Sequence, residues 1–231
     1  MVAVLSIEGN KAVRSSADKS FCRFSLERRA GLGKLGLPFR KELPHDNRAV
    51  IAILIGTNRL GSRTRLVGAQ LVRLYHELGE EARPIDLGLL PIEVGSPRAY
   101  ADRPAEVSRF AALLGEARGI VVVLPEYNGS FPGILKLFLD LLPHPSPLEG
   151  KPICLVGAAS GRFGGLRAVE QMQNHLLYRR SHPYPYSVLL SDVEMLLAKT
   201  ARIEDPATIK RLRAQAEGFL GFVASLAPEK G

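Results

Sequence analysis

The residues best suited to bind an anion in this sequence follow an apolar run. Residues 50–55, Val-Ile-Ala-Ile-Leu-Ile, lead into Gly56 and a polar turn. The hydroxyl and guanidinium groups of that turn belong to Thr57, Arg59, Ser62 and Thr64. Such groups donate charge-assisted hydrogen bonds to a phosphate monoester. A helical pattern starts directly afterwards, and the unpaired N–H groups at a helix N-terminus favour an anion. The pattern predicts a phosphate-binding turn.

Two familiar phosphate loops do not fit this turn. The Walker pattern requires Lys and then Ser or Thr after its second Gly, whereas Gly61 is followed by Ser62 and Arg63. The dinucleotide-binding fingerprint also fails, because Asn58 stands where its second Gly belongs. Taken alone, the turn leaves a second interpretation open, which is an ordinary strand-to-helix connection with Ser62 as the N-cap.

Two further polar turns follow apolar runs later in the chain. Residues 125–130 are Pro-Glu-Tyr-Asn-Gly-Ser and residues 159–165 are Ala-Ser-Gly-Arg-Phe-Gly-Gly. Such turns expose backbone N–H groups that can hydrogen-bond a flat heterocycle, and Tyr127 and Phe163 could cover its ring. The carboxyl ends of parallel strands form a ligand crevice, so the three turns together predict one bound mononucleotide. The candidate ligand residues of the later turns are Pro125, Glu126, Tyr127, Asn128, Gly129, Ser160 and Gly161.

The apolar pattern predicts the strands and helices that bring these turns together. Unbroken apolar runs at 50–55, 120–124 and 152–157 are typical of strands buried on both faces of a parallel sheet. Residues 82–87 and 184–190 complete the predicted strands. Helical spacing predicts helices between them, and Asp205 and Pro206 begin a last one. The alternation predicts an α/β fold, a doubly wound five-stranded parallel sheet with helices on both faces.

The helix predicted at about 132–142 has almost no polar face. Its apolar residues are Ile134, Leu135, Leu137, Phe138, Leu139, Leu141 and Leu142. A helix that is apolar all round must be covered on all sides. The chain's own sheet covers one side, while Leu137 and Leu141 fall on a single stripe. We therefore expect a second copy of the chain to cover this stripe, in a homodimer or homotetramer.

Composition and charge narrow the possible partners. The net charge of +8 is concentrated at the start of the chain, because residues 1–48 hold 10 Lys and Arg against 5 acidic residues. No basic stripe with interleaved aromatic residues follows, so no nucleic-acid partner is expected. No apolar run approaches the roughly 18 residues that span a bilayer, so no membrane partner is expected either.

The chain divides into a predicted extension and one domain. Residues 1–47 show no sustained period and are expected to be disordered, and residues 48–231 are expected to form a single domain. Cys22 and Cys154 support neither a disulfide framework nor a metal site, which makes a reducing cytoplasm the expected setting. The five histidines have no metal-ligand spacing and are interpreted as surface or loop residues.

The turns at 56–64 and 125–136 together resemble the NADPH-dependent FMN reductase family. That family carries a G-S-x-R-x-x-S-x-N phosphate loop, matched at Gly56, Arg59 and Ser62, with Thr57 and Thr64 replacing Ser and Asn. Its P-E-Y-N-G-S-x-P-G-x-L-K motif is matched at every specified position from 125 to 136. The resemblance extends over roughly residues 49–200, including the Gly-rich turn at 160–165.

The resemblance implies a flavodoxin-like fold with FMN as cofactor and NADPH or NADH as co-substrate. A hydride would pass from nicotinamide to the flavin, and the reduced flavin would pass electrons to a quinone, azo compound, metal or similar small acceptor. Backbone N–H groups after Pro125 and Ser160 are the expected stabilisers of charge on the reduced ring. No side chain is assigned as a catalytic acid or base, and no metal site is expected.

Other interpretations remain open from the sequence. A flavodoxin-type electron carrier would bind FMN without nicotinamide turnover, and a flavin-binding regulatory or structural module would use the apolar helix only for assembly. Arg179, Arg180 and the Lys151 region are interpreted as solvated charge. As an alternative, Arg179 and Arg180 would contact the phosphate of NADPH.

Overall fold

The computed structural model describes residues 50–197 and 200–227. The predicted extension and Cys22 lie outside the described residues. The strands are β1 (Ile51–Ile55), β2 (Ala82–Asp86), β3 (Gly119–Pro125), β4 (Pro152–Ala158), β5 (His182–Pro183) and β6 (Val188–Leu190). The α-helices are α1 (Arg63–Glu77), α2 (Ala105–Glu116), α3 (Gly133–Asp140), α4 (Leu166–Tyr178), α5 (Val193–Leu196) and α6 (Pro206–Ser225). Short 3₁₀ turns, Leu87–Leu89, Ile92–Gly95 and Pro97–Tyr100, lie between β2 and α2.

The strands form one parallel sheet in the order β2-β1-β3-β4-β5, and β6 also pairs with β4. β5 and β6 pair with the same edge of β4, so together they take the place of one predicted strand. The predicted parallel sheet is therefore confirmed. The single strand predicted at 184–190 is instead split into these two short pieces. Pro183 and Pro185 explain the split, because proline has no N–H to donate to a continuous ladder.

Helices cover both faces of the sheet, as predicted. One core joins Ala52, Leu54 and alternate residues of β3 and β4 to α2, α3 and α4. The other core joins Ile51, Ile53 and the intervening strand residues to α1 and α6. The alternation follows from the strand geometry, since successive side chains point to opposite faces. Among the described residues, none of the helices has the length and hydropathy needed to cross a membrane.

Helix α3 differs from the prediction in two respects. It is shorter, and its outer face is polar, because Lys136 Nζ and Asp140 Oδ1 form an ion pair at 2.7 Å. Leu141 is only 2% exposed within one chain, while Leu137 is half-buried. The expectation of an uncovered stripe that includes Leu141 is therefore wrong, because the chain buries that residue itself.

Arg179 and Lys151 were interpreted as solvated. In the structure, each donates hydrogen bonds to backbone carbonyls at the C-terminal end of a helix. Arg179 Nη2 donates to the carbonyl of Leu139 in α3 at 2.7 Å. Lys151 Nζ donates to the carbonyls of Gly115 and Ala117 at the end of α2, at 2.7 and 2.6 Å, and burial lowers the pKa of Lys151. Cations are favoured at these positions by the helix dipole. The solvated interpretation is wrong for both residues.

The histidine interpretation needs one correction. His175 of α4 is half-buried, with its ring 6.4 Å from the ring of Phe131. Desolvation, followed by the charges of Arg179 and Lys136, lowers the pKa of His175. His76, His144 and His182 are exposed, as expected.

Candidate functional site

A cavity of about 360 Å³ opens at the carboxyl ends of β1, β3 and β4, where the order of the strands reverses. Its volume lies within the range of roughly 300–1,000 Å³ that small-molecule sites occupy. All three predicted turns contribute to its walls, through residues 59–64, 125–127, 158–161 and 163–165. The predicted ligand residues that line it are Arg59, Ser62, Thr64, Pro125, Glu126, Tyr127, Ser160 and Gly161.

The first turn is both a helix cap and a set of free donors. Ser62 is the N-cap of α1, and its Oγ accepts from the N–H of Thr64 at 3.2 Å. The N–H of Arg63 has no hydrogen-bond partner among the described residues and lies at the cavity wall, and the side chain of Arg59 is exposed there. The two interpretations of this turn therefore describe the same residues, because the Ser62 hydroxyl can accept from the helix and still donate its proton to an anion.

Gly56 and Thr57, which were predicted to contact the ligand, do not line this cavity. A Cβ at Gly56 would lie 2.9 Å from Leu135 Cδ2 and 3.2 Å from the carbonyl of Val123, so this glycine allows α3 to pack against β1. Thr57 is 2% exposed. Both residues are therefore buried beneath the turn and do not form part of the cavity wall.

The second turn is a two-residue hairpin centred on Asn128 and Gly129. The N–H of Tyr127 donates to the carbonyl of Ser130 at 2.8 Å, and the reverse bond is 3.1 Å. Asn128 and Gly129 have φ values of 52° and 76°, as a type I′ turn requires. Asn-Gly is preferred there because both central residues must tolerate positive φ. These two residues do not line the cavity, whereas Tyr127, which precedes them in the turn, does.

Glu126 connects the second turn to the start of α4. Its Oε2 accepts from the backbone N–H of Arg167 at 3.2 Å. The N-cap position of α4 is Gly165, which has φ 89° and no side chain that could cap the helix. A carboxylate is favoured at a helix N-terminus, so Glu126 replaces the missing local cap.

The third turn presents backbone donors and an aromatic ring. The N–H groups of Ser160 and Gly161 have no hydrogen-bond partner within the described part of the chain. Phe163 is 65% exposed at the cavity, and the Arg162 guanidinium carbon lies 5.7 Å from its ring centroid. Gly164 is required by close packing, since a Cβ there would lie 2.9 Å from the backbone of Leu190.

Sequence reasoning missed the contribution of the segment after β6. Val193 and Glu194, at the start of α5, complete the cavity wall. The available signal was Asp192, a residue type favoured at N-caps, although its side chain makes no capping hydrogen bond in the structure. Leu60, which was read only as part of the first turn, also lines the cavity and is 89% exposed.

The groups around the cavity are suited to binding and orientation. Arg59 and Ser62 offer a cation and a hydroxyl, and the first and third turns offer backbone N–H groups. The thiol of Cys154 does not contribute, because it is buried in the middle of β4, where desolvation raises its pKa. The arrangement can hold an anionic ligand with a flat polar ring.

A parallel sheet of this order, with a ligand cavity at its switch point, defines a flavodoxin-like protein. The fold is similar to that of the NAD(P)H:(acceptor) oxidoreductase FerB from Paracoccus denitrificans, with a TM-score of 0.65 and 23% identity. The similarity covers 77% of this chain and 98% of that one. The flavodoxin-like fold that the sequence implied is confirmed.

Sequence comparison gives the family. Residues 49–194 match the model of the NADPH-dependent FMN reductases. The chain is 26% identical to a quinone reductase of Escherichia coli strain K12 over 180 residues, covering 75% of this chain and 94% of that protein. It is 31% identical to a 2-hydroxy-1,4-benzoquinone reductase of a Burkholderia species over 155 residues, or 64% of this chain and 77% of that protein.

The chain belongs to the NADPH-dependent FMN reductase family. It is an FMN-dependent NAD(P)H oxidoreductase, as the resemblance implied. The alternative of a flavodoxin-type electron carrier is not favoured.

Proposed function

We propose that the cavity binds FMN across the three turns, with the phosphate on the first turn and the isoalloxazine ring against the second and third. The observation that carries this proposal is the convergence of free donors from separate turns on one cavity. On the first turn these are the Arg59 guanidinium, the Ser62 hydroxyl and the N–H of Arg63, a set that fits a phosphate dianion. The free N–H groups of the third turn fit the carbonyl oxygens and nitrogens of a flavin edge.

When bound, FMN supplies the hydride acceptor and the electron donor of the reaction, with NADPH or NADH as reductant. The chain binds and orients the reactants. The N–H groups of Ser160 and Gly161 are preorganised donors for a ring edge on which negative charge develops. We assign no side chain as a catalytic acid or base, because N–H donors of this kind stabilise charge without titrating.

We propose a quinone as the electron acceptor. Two relatives are a quinone reductase and a 2-hydroxy-1,4-benzoquinone reductase. Leu60 and Phe163 add exposed apolar surface at the cavity, which suits a flat acceptor with little charge. Azo compounds and metal ions are the other acceptor classes to be compared with it.

Flavin titration followed by turnover tests this function. FMN fluorescence should be quenched on binding, and the denatured holoprotein should release FMN rather than FAD. NADPH or NADH oxidation should then depend on added benzoquinone, with slower rates for an azo dye and for chromate. A protein that binds no FMN would contradict the cavity assignment. A protein that binds FMN but oxidises neither nucleotide with any acceptor would contradict the reaction.

We also propose that the enzyme is a cytoplasmic homodimer or homotetramer. The surface that supports assembly is the apolar segment next to α3, where Leu89, Ile92 and Tyr100 are 61%, 90% and 64% exposed. Several large apolar side chains exposed within one short segment are typical of a protein interface. The free, buried thiol of Cys154 is compatible with a reducing compartment.

A further inference from the structure

Helix α4 holds the second turn at both of its ends. Gln171 makes two of the contacts: its Nε2 donates to the carbonyl of Gly129 at 2.9 Å, and its Oε1 accepts from Ser130 Oγ at 2.6 Å. One helical turn earlier, the backbone N–H of Arg167 donates to the Glu126 carboxylate. Among the described residues, no backbone–backbone hydrogen bond links this turn to α4, so the attachment depends on side chains.

The contacts with α4 continue beyond the turn. The ring of His175, one helical turn after Gln171, lies 6.4 Å from the ring of Phe131 in an edge-to-face arrangement. Helical residues four positions apart share one face, so Arg167, Gln171 and His175 form a single stripe beside residues 126–131. One helix therefore contacts this segment at three successive levels.

The same helix also begins at the third turn. Gly165, the last residue of the 159–165 turn, is the N-cap of α4. A Cβ at Gly165 would lie 3.2 Å from the backbone nitrogen of Ala158, so the start of α4 lies directly against the end of β4. The second and third turns, against which the flavin ring is proposed to lie, are therefore both fixed to α4.

We propose that Gln171 is a positioning residue for the flavin ring. Gln171 does not line the cavity, whereas Tyr127 does. The hydrogen bonds between Tyr127 and Ser130 connect the residue that lines the cavity to the residue that Gln171 holds. Gln171 thus fixes the second turn at one distance from the third, and two turns fixed in advance require less ordering when a ligand binds. The inference rests on the proposed FMN site.

A residue that only stabilises the fold would behave differently. Its replacement would lower the melting temperature and leave the FMN affinity of the folded protein unchanged. Gln173 provides a matched control on the same helix. It lies about 200° around the helix axis from Gln171, and its side chain makes no hydrogen bond among the described residues.

The experiment measures dissociation constants of FMN and riboflavin by fluorescence titration of the apoprotein, at a temperature where every variant is folded. Gln171→Met should weaken both ligands by the same factor, about two- to fivefold, which is the lower range for neutral hydrogen bonds because solvent reaches these two. Riboflavin has the ring of FMN but no phosphate, so an equal loss assigns the effect to the ring. The absorbance bands of bound FMN should also shift. Gln173→Met should bind both flavins like the wild type.

Ser130→Ala tests the contact from the other side. It should weaken both flavins less than Gln171→Met does, because Gln171 still reaches the carbonyl of Gly129. Combined with Gln171→Met, it should cause no further loss, since the partner of the hydroxyl is already absent. If Gln171→Met does not fold, Ser130→Ala decides, because it removes one hydroxyl and leaves α4 unchanged.

Three results would overturn the inference. A lower melting temperature with unchanged dissociation constants and unchanged absorbance would make Gln171 a residue that only stabilises the fold. A loss of affinity for FMN but not for riboflavin would assign the effect to the phosphate. Equal losses in Gln171→Met and Gln173→Met would assign it to α4 as a whole. A wild-type protein that binds neither flavin would instead contradict the proposed function itself.

Discussion

At the scale of single residues, the proposed phosphate site depends on Arg59 and Ser62. Both line the cavity beside the N-terminus of α1. We expect Arg59→Ala and Ser62→Ala each to weaken FMN binding about tenfold or more, because a hydrogen bond to a charged group contributes about 1.5–3 kcal/mol. Fluorescence titration of the apoprotein with FMN measures the change.

Arg73→Ala is the control for these variants, since Arg73 is an exposed residue of the same helix that does not line the cavity. Its FMN affinity should equal that of the wild type. Ser62→Ala also removes the cap of α1, so its melting temperature should fall while that of Arg59→Ala stays unchanged. Unchanged affinity in both cavity variants would place the phosphate elsewhere.

Gly129 should be sensitive to substitution because of its backbone conformation and not because of space. Its φ is 76°, and a Cβ would meet nothing closer than 3.8 Å, on the side chain of Arg167. We expect Gly129→Ala to destabilise the fold by about 1–2 kcal/mol, the cost of a left-handed conformation for an alanine. Urea unfolding gives this value.

Gly221→Ala provides the matched control. Gly221 lies inside α6 with no atom within 4 Å of an added Cβ. This substitution should stabilise the protein by about 0.5–1 kcal/mol, because alanine loses less backbone entropy than glycine in a helix. Equal effects of both substitutions would contradict the type I′ turn at 127–130.

At the scale of elements, the start of α6 depends on Asp205. Its Oδ2 accepts from the N–H of Thr208 at 2.7 Å, and hydrogen bonds from Thr208 lower the pKa of Asp205. Because the folded-state pKa lies below the unfolded value, this stabilisation is present above the unfolded pKa and is lost as the pH falls through the folded one. We expect Asp205→Ala to lower the melting temperature by a few degrees at pH 7, and by less in acid.

Asp205→Ser separates the cap from its charge. Serine keeps an N-cap hydrogen bond but does not titrate, so the difference in melting temperature between wild type and Asp205→Ser should shrink as the pH falls from neutral to acid. Differential scanning calorimetry over this range measures it. A difference that is independent of pH would show that the carboxylate charge has no part in the cap.

At the scale of the whole molecule, the proposed assembly depends on the apolar segment that contains Ile92. Ile92 is 90% exposed, so Ile92→Glu changes no core contact within one chain. We expect it to shift the protein toward monomer, because a carboxylate in an interface would be buried without a partner. Light scattering across micromolar concentrations gives the mass of each variant.

Met195 gives a comparison outside that segment. It is 80% exposed in α5, and Met195→Glu should leave the mass of the assembly unchanged. A wild-type protein that is monomeric at all concentrations would contradict the proposal. If Met195→Glu dissociates the assembly and Ile92→Glu does not, the interface lies near α5.

Periodicity in the sequence was sufficient to predict most elements and the edge of the sheet at which the cavity opens. The apolar runs that became β1, β3 and β4 are buried along their full length, and a core strand of a parallel sheet needs that pattern. Asp205 and Pro206 marked the start of α6 correctly, because a cap is a local interaction. The split between β5 and β6 and the short helix α5 were missed, since their signals extend over only a few residues.

What the sequence by itself determined about this protein is the layered α/β fold, the three turns and their meeting at one edge of the sheet. These follow from local propensity, apolar period and the geometry of parallel strands. Only the tertiary structure decided which contacts each turn residue makes. Gly56 is a packing residue and Thr57 contacts Tyr127, although both stand in a motif that resembles a phosphate loop. The burial of Leu141 and the capping contacts of Glu126 and Arg179 were likewise decided there. The physical reason is that such contacts join residues distant in sequence, and no local pattern encodes which side chains will meet.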